Sequence, residues 1–465
     1  MRYISTRGGA PAMDFEGVLL AGLAADGGLY VPETWPSLAP EALATLRGRP
    51  YAEVALAVIR PFVGASLPEA ELKAIIADTY AGFRHTAVTP LKQLDADRWL
   101  LELFHGPTLA FKDVAMQLLA RLMDRALKNR GRQATIVVAT SGDTGGAAVE
   151  AFRETDRVSL FVLHPKGRVS DVQRRQMTTV LAPHIHNIAI EGTFDDAQAL
   201  VKAMFADQAF RERNRLAAVN SINWARIVAQ AVYYVASALA LGAPSRSLSF
   251  SVPTGNFGDV YAGFVAKRLG IPIDRLVVAT NVNDILDRAM RTGRYEVRGV
   301  EPTESPSMDI QVSSNFERLL FEASGRDAGE VRGLMASLSQ SGAFTIPDET
   351  LARIQANFDS MSLDAAGTRA ELVEALAGTG ELIDPHTAVG CAAARRFAVK
   401  GTPMVTLSTA HPAKFPDAVE AATGVRPELP PRLSDLELRE ERFAVLPNAL
   451  AEVQAFIDAR AAKEA

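Results

Sequence analysis

A single cysteine, Cys391, stands among 465 residues. No intrachain disulfide can brace the fold, and no thiolate cluster can hold a metal. The run Gly390-Cys391-Ala392-Ala393-Ala394 reads as a buried helix, so the thiol is a packing group. Long apolar runs are also missing. The longest candidate, Ile227 to Ala243, contains Gln230 and Ser237 and falls short of the ~20 residues a membrane-spanning helix needs. It reads as a buried helix, and no membrane partner is expected. Positive charge is not in excess: Lys+Arg number 49 against Asp+Glu 54, a net −5. That balance argues against nucleic acid as a partner, while a local cationic pocket for a small anion stays compatible with it. No His/Cys cluster suggests a metal site. The opening residues Met1 to Arg7 lack the apolar stretch of a secretion signal, so cytoplasm is the expected compartment. The sequence carries neither a fixed-period repeat nor a signal of oligomeric state.

What is present is ordinary globular composition, 48% hydrophobic and 22% charged, in a chain too long for one core. Residues 1–90 mix short helical patterns with Gly/Pro loops such as Asp26-Gly27-Gly28. From about 91, apolar strands alternate with helices, the mark of parallel βα units. Strands are expected at 99–104, 134–140, 159–163 and 185–190, and helices at 112–127, 145–154 and 194–205. After a long helix at 224–241 the pattern restarts, with strands at 248–252, 276–281 and 404–407, a helix at 260–269, and mainly helical text between. A terminal helix is expected at 449–462. The expected division is an N-terminal domain at 1–90, two open α/β domains at 91–240 and 241–430, and a helical tail at 431–465. Ligands of such sheets bind at the carboxyl ends of the strands.

Three segments carry chemistry. In Glu102-Leu103-Phe104-His105-Gly106-Pro107-Thr108-Leu109-Ala110-Phe111-Lys112-Asp113, a strand ends, Gly-Pro breaks the chain, and Lys112 stands at a helix start among apolar residues. Desolvation and the positive end of the helix dipole both disfavour its ammonium form. Such a lysine suits Schiff-base chemistry and base catalysis; the alternative is an exposed first-turn lysine. His105 either borders a cofactor or bonds backbone at the turn. Thr140-Ser141-Gly142-Asp143-Thr144-Gly145-Gly146 joins a strand to a helix and presents N–H groups and hydroxyls as an anion site does. Pro253-Thr254-Gly255-Asn256-Phe257-Gly258-Asp259 repeats that arrangement. Each turn alone is equally a structural tight turn, but two of them with the lysine imply a ligand bearing two anionic groups. A third piece, Leu407-Ser408-Thr409-Ala410-His411-Pro412-Ala413-Lys414-Phe415, ends a strand with two hydroxyls. These either face a pyridine nitrogen or cap a turn.

In this order and spacing, the segments 105–113, 141–145, 255–259 and 407–415 resemble the threonine synthases of the fold type II, tryptophan synthase beta-like, PLP enzymes. Tyr3-Ile4-Ser5-Thr6-Arg7-Gly8 and Ser305-Pro306-Ser307-Met308-Asp309-Ile310 are similar to that family too. The resemblance implies pyridoxal 5'-phosphate (PLP) as cofactor and Lys112 as the catalytic Schiff-base lysine. It implies Gly255, Asn256 and Phe257 around the cofactor phosphate, with Asp259 bordering it, and Thr409 at the pyridine nitrogen. Ser141, Gly142, Asp143 and Thr144 are implied as the substrate-carboxylate loop. Sulfhydrylase relatives commonly carry asparagine where Asp143 stands. The implied reaction, closing threonine biosynthesis, is that of a carbon–oxygen lyase converting O-phospho-L-homoserine and water to L-threonine and phosphate. Arg226, Ser307, Ser314 and Asn315 are candidates for a second anion pocket. Other fold type II lyases, such as dehydratases or cysteine synthase-like enzymes, and a PLP-binding scaffold without turnover are the competing readings.

Overall fold

The computed structural model describes residues 1–461, so the end of the expected 449–462 helix, Ala462, lies outside the described residues. In chain order the strands are β1 (Tyr3–Ser5), β2 (Tyr30–Pro32), β3 (Leu91–Gln93), β4 (Arg98–Glu102), β5 (Ala134–Ala139), β6 (Val158–Pro165), β7 (Ile185–Glu191) and β8 (Leu216–Ala217). They continue with β9 (Leu248–Pro253), β10 (Ile273–Thr280), β11 (Arg294–Glu296), β12 (Ala343–Thr345), β13 (Phe358–Ser362), β14 (Met404–Ser408) and β15 (Ala444–Pro447).

Two sheets dominate. One has the order β13-β10-β9-β14-β4-β3, parallel except for the antiparallel edge strand β3. The other, β15-β7-β6-β5-β8, is parallel throughout. Strands β6 and β9 are buried at every position, because crossover helices cover both faces of a parallel sheet. The alternating α/β text therefore produces the expected open layers of a fold type II enzyme.

The sheets do not follow the linear division of the chain. Strands β3 and β4, although they precede the 134–217 block, pair into the sheet built mainly by residues after 240. Leu100 faces Thr406 and Leu101 faces Leu407 across that ladder. Parallel strands cannot be joined by a hairpin, so burial rather than adjacency selects their partners. Likewise the 431–465 tail is not only helical: β15 pairs Ala444 with Ile188 before the helix Leu450–Asp458. Strand β13, in text expected to be helical, is a partly exposed edge strand that lacks an apolar run.

The helices Asp143–Phe152 and Gly258–Arg268 start earlier than expected. Gly142 at φ 135° and Phe257 at φ 61° turn the chain directly into them. That brings Asp143 and Asp259 into first helical turns, where the dipole favours carboxylates. The N-terminal region is tied to the rest by Tyr3, whose hydroxyl donates to Phe62 O at 2.7 Å and accepts from Trp224 Nε1 at 3.1 Å.

Candidate active site

Strands β4 and β14 are parallel neighbours, so the loops leaving them emerge at the same sheet edge. Backbone bonds stitch those loops together. Leu103 N–H donates to Ser408 O (3.0 Å), Phe111 N–H to Thr409 O (2.8 Å) and His411 N–H to Leu109 O (3.0 Å). Lys112 is thereby held one residue from the strand end that carries Thr409. The turn before it is tight: a Cβ on Gly106 would lie 2.6 Å from Asp113 Oδ2. Asp113 closes the loop by accepting from the N–H and the hydroxyl of Thr108, both at 2.7 Å. Burial raises the Asp113 carboxyl to about 6 despite these bonds. Leu109 sits at φ 64°, strained for a branched side chain, and its packing against Leu433 and Leu436 compensates.

The first residue of the helix Lys112–Asn129 is its lysine, only 8% exposed. Lys112 Nζ donates to Asp143 Oδ2 and to Ser307 Oγ, each at 3.3 Å. Burial pushes its pKa down; Asp143 opposes that, while the charges of Lys414 and Arg226 reinforce it. The exposed first-turn reading is thus excluded. Asp143 itself is clamped. Gln173 Nε2 donates to Oδ1 at 2.9 Å, and Lys414 Nζ stands 3.0 Å from the same oxygen. Burial alone would raise the Asp143 carboxyl, but Lys414 and then Lys112 outweigh it and hold it well below the ordinary carboxylate range.

Around Asp143 the first glycine turn is organised by Thr140, whose hydroxyl accepts from Gly142 N–H and Gly145 N–H at 2.9 Å each. Ser141 and Thr144 are partly exposed on this turn, and Gly142 is buried. In the second turn Phe257 is the N-cap of the helix Gly258–Arg268 and provides no side-chain cap. Its left-handed backbone is stabilised by ring packing, 5.4 Å from Phe316 and 5.9 Å from Phe358 between centroids. Gly255 and Asn256 are partly exposed. A Cβ on Gly255 would lie 2.5 Å from the carbonyl oxygen of Ser307, so this glycine is required by a neighbouring segment of the protein itself.

Ser307 connects the two halves. Its hydroxyl meets Lys112, and its N–H donates to His386 Nε2 at 3.2 Å. His386 Nδ1 in turn bonds Asp384 Oδ2 at 2.7 Å, which assigns the proton to Nδ1 and leaves Nε2 as the acceptor. Asp259 does not point to an ion pair. Its Oδ1 accepts from the hydroxyls of Tyr233 and Tyr234, its Oδ2 has no partner, and burial raises it to about 7. Arg226 is buried, its Nε also lacks a partner, and desolvation lowers it to about 10.

Of the residues singled out in the sequence, the structure gathers Lys112 and Asp143 directly, Gly255 through Ser307, and Thr409 through Phe111. It does not offer Asn315 to a substrate, because its amide donates to Asn256 O (3.0 Å) and Ser221 O (3.2 Å). His105 bonds Glu102 Oε2 at 2.7 Å and serves its own turn. Sequence reasoning missed the roles of Gln173, Asp384, His386 and Lys414. Only Lys414 had a local signal, as a lone charge inside Pro412-Ala413-Lys414-Phe415-Pro416, and it is fully buried. Among the described residues no cluster suited to a metal ion occurs.

Comparison with known proteins agrees with this geometry. Residues 2–80 match the family described as threonine synthase N terminus, 82–337 that of pyridoxal-phosphate dependent enzymes, and 387–457 that of threonine synthase, C-terminal. A threonine synthase of Pseudomonas aeruginosa is 56% identical over 98% of each chain. The crystal structure of a PLP-bound threonine synthase from Brucella melitensis superposes with a TM-score of 0.97, at 56% identity and 100% coverage of both chains. The yeast threonine synthase structure follows with a TM-score of 0.93, at 38% identity and 98% coverage of both. With its two strand-to-helix turns converging on a buried lysine and relatives alike from end to end, this chain belongs to the threonine synthase family of pyridoxal-phosphate-dependent enzymes.

Proposed function

We propose that this protein converts O-phospho-L-homoserine and water to L-threonine and inorganic phosphate, with PLP as cofactor. The observation that carries the reading is a buried amine, Lys112 Nζ, lying 3.3 Å from both a carboxylate and a hydroxyl beside two glycine turns.

The residues present fit PLP. Lys112 supplies a primary amine whose ammonium form is disfavoured by burial, as condensation with an aldehyde requires. The helix start at Gly258 has no side-chain cap, so Gly255, Asn256 and Phe257 can offer backbone N–H groups to a phosphate. Thr409 is buried just after β14, beside the segment of Lys112, and carries a hydroxyl suited to a pyridine nitrogen. Asp259, carrying an unpartnered oxygen, borders the phosphate loop. When bound, PLP supplies an electron sink for the pairs released as substrate C–H bonds break.

The protein's own groups then have these tasks. Ser141, Gly142, Asp143 and Thr144 form the turn that receives the substrate carboxylate. Lys112 Nζ takes the proton from Cα and returns one there at the end. Between these steps a proton leaves Cβ, the C–O bond at Cγ breaks to release phosphate, Cγ is protonated, and the oxygen of water bonds to Cβ. Atoms balance with one water consumed and one phosphate released. Arg226, buried and with an unpartnered Nε, is the strongest candidate to meet a substrate anion, since a buried dianion needs fixed cationic donors.

Phosphate release from O-phospho-L-homoserine, with threonine identified as co-product, tests the proposal. Free L-homoserine should be a very poor substrate, and inorganic phosphate should compete. Comparable turnover of homoserine or of O-acetylserine would refute the assignment in favour of another lyase of this fold.

A further inference from the structure

Lys414 lies in the short turn Pro412–Lys414 that follows β14, and its side chain is fully buried. Its ammonium meets three acceptors: Thr108 O at 2.7 Å, Gln176 Oε1 at 2.8 Å and Asp143 Oδ1 at 3.0 Å. Two of these are hydrogen bonds and the third is an ion contact, so the buried ammonium is committed to the protein's own groups. Thr108 belongs to the loop that leads into Lys112, and Gln176 Nε2 donates to the same Thr108 carbonyl at 3.1 Å. Lys414 therefore joins the loop before the catalytic lysine to the carboxylate that faces it.

The Asp143 carboxylate is divided. Oδ1 takes Lys414 and Gln173, while Oδ2 is left to Lys112 Nζ at 3.3 Å and Ser307 Oγ at 3.5 Å. We propose that Lys414 is a positioning residue for Lys112: it holds Asp143 by one oxygen, so that the other oxygen, 3.3 Å from Nζ, orients the Lys112 amine while part of the carboxylate's charge is spent on Lys414. The inference rests on Lys112 being the reactive amine of the proposed function. Without Lys414, Asp143 has Lys112 as its only lysine partner, and the amine is retained as ammonium. The charged and titratable groups acting on Lys112 include Asp143, Lys414, Arg226 and Asp259, and His386 stands behind Ser307, accepting from its N–H. Removing one cation from this set favours the protonated amine.

The test reads the amine rather than turnover. In apoenzyme, the rate at which trinitrobenzenesulfonate modifies Lys112, followed by mass spectrometry of its peptide against pH, gives the midpoint of its deprotonation. Lys414→Met should raise that midpoint by about one pH unit and slow modification at neutral pH about tenfold. Lys414→Arg, which keeps the charge, should stay near wild type. The double variant Lys414→Met/Asp143→Asn, which also removes the anion, should return the midpoint to the wild-type value or below it. Lys414→Gln keeps an N–H donor towards Thr108 O while deleting the charge, and it takes the place of Lys414→Met should that variant not fold. An unmoved midpoint in a folded, charge-deleted variant overturns the proposal, as does a double variant shifted as far as the single one. A protein that shows these shifts yet fails to turn over O-phosphohomoserine overturns the function and leaves the positioning role standing.

Discussion

Gly255→Ala places the most specific demand on the structure. The added Cβ would begin 2.5 Å from Ser307 O and 3.4 Å from Met308 Cα, where ordinary contact starts at 3.4 Å. Relief therefore requires the Ser307 peptide or the Gly255 turn to move by about 0.9 Å, the difference between those distances. Ser307 cannot absorb that cheaply. Its N–H lies 3.2 Å from His386 Nε2 and its Oγ 3.3 Å from Lys112 Nζ, so a shift of this size along either direction exceeds hydrogen-bond range. Overpacking of this kind costs about 1–3 kcal/mol of stability, and a misplacement near 1 Å at a reacting group costs on the order of 10²-fold in kcat. The assay pairs kcat with cofactor affinity from a spectroscopic titration and with thermal unfolding. Gly333→Ala is the control. It lies in the helix Ala328–Ser341 with nothing within 4 Å of the new Cβ, so it should be neutral or stabilising by up to about 1 kcal/mol. Wild-type kcat and cofactor affinity in Gly255→Ala would refute the claim that Ser307 is rigidly placed between Lys112 and the glycine turn.

Three further outcomes are expected. Lys112→Ala should fold but lose the Schiff-base absorbance and nearly all turnover; a cofactor that borohydride still fixes to the variant would remove Lys112 from its role. Asp259 is raised from 3.8 to about 7 by burial, so the folded state binds a proton that the unfolded state releases, and stability falls as pH rises between those values. The gap corresponds to on the order of 4 kcal/mol, and Asp259→Asn should flatten the Tm-against-pH curve of the apoenzyme from pH 4 to 7; an unchanged slope would contradict the assignment. Cys391, buried and pushed up to about 12, should resist iodoacetamide at pH 8 in the native state and react once in denaturant; rapid native labelling would show that its helix opens.

Legibility followed the range of the interactions. Lys112 and the two glycine turns could be read because a strand, a chain break and a helix start are local events, marked by Gly106-Pro107, Gly142 and Gly255. The early start of the helix at Gly258 was not legible, because Phe257 adopts a left-handed backbone that its sequence neighbours do not announce. Its reason is packing against Phe316 and Phe358. The pairing of β4 with β14, the return of β15 to β7, and the Lys414–Asp143 contact each join residues hundreds of positions apart. Burial decides such contacts, and no periodicity encodes them. Ser307 was singled out as a candidate for a substrate anion, and the sequence did not announce that its hydroxyl lies beside Lys112.

The interleaving of the sheets has a consequence for how the protein comes into being. Strand β4, which leads into the lysine, finds its parallel partner only when β14 has been synthesised. The β5–β8 block likewise acquires its last strand from β15. During translation the β4 sheet is complete only after β14, at residue 408, and the other sheet only after β15, at residue 447, so the ground around Lys112 stays open until residues beyond 404 have left the ribosome. A chain that stops short of β14 lacks both Thr409 and the strand against which β4 lies to present Lys112.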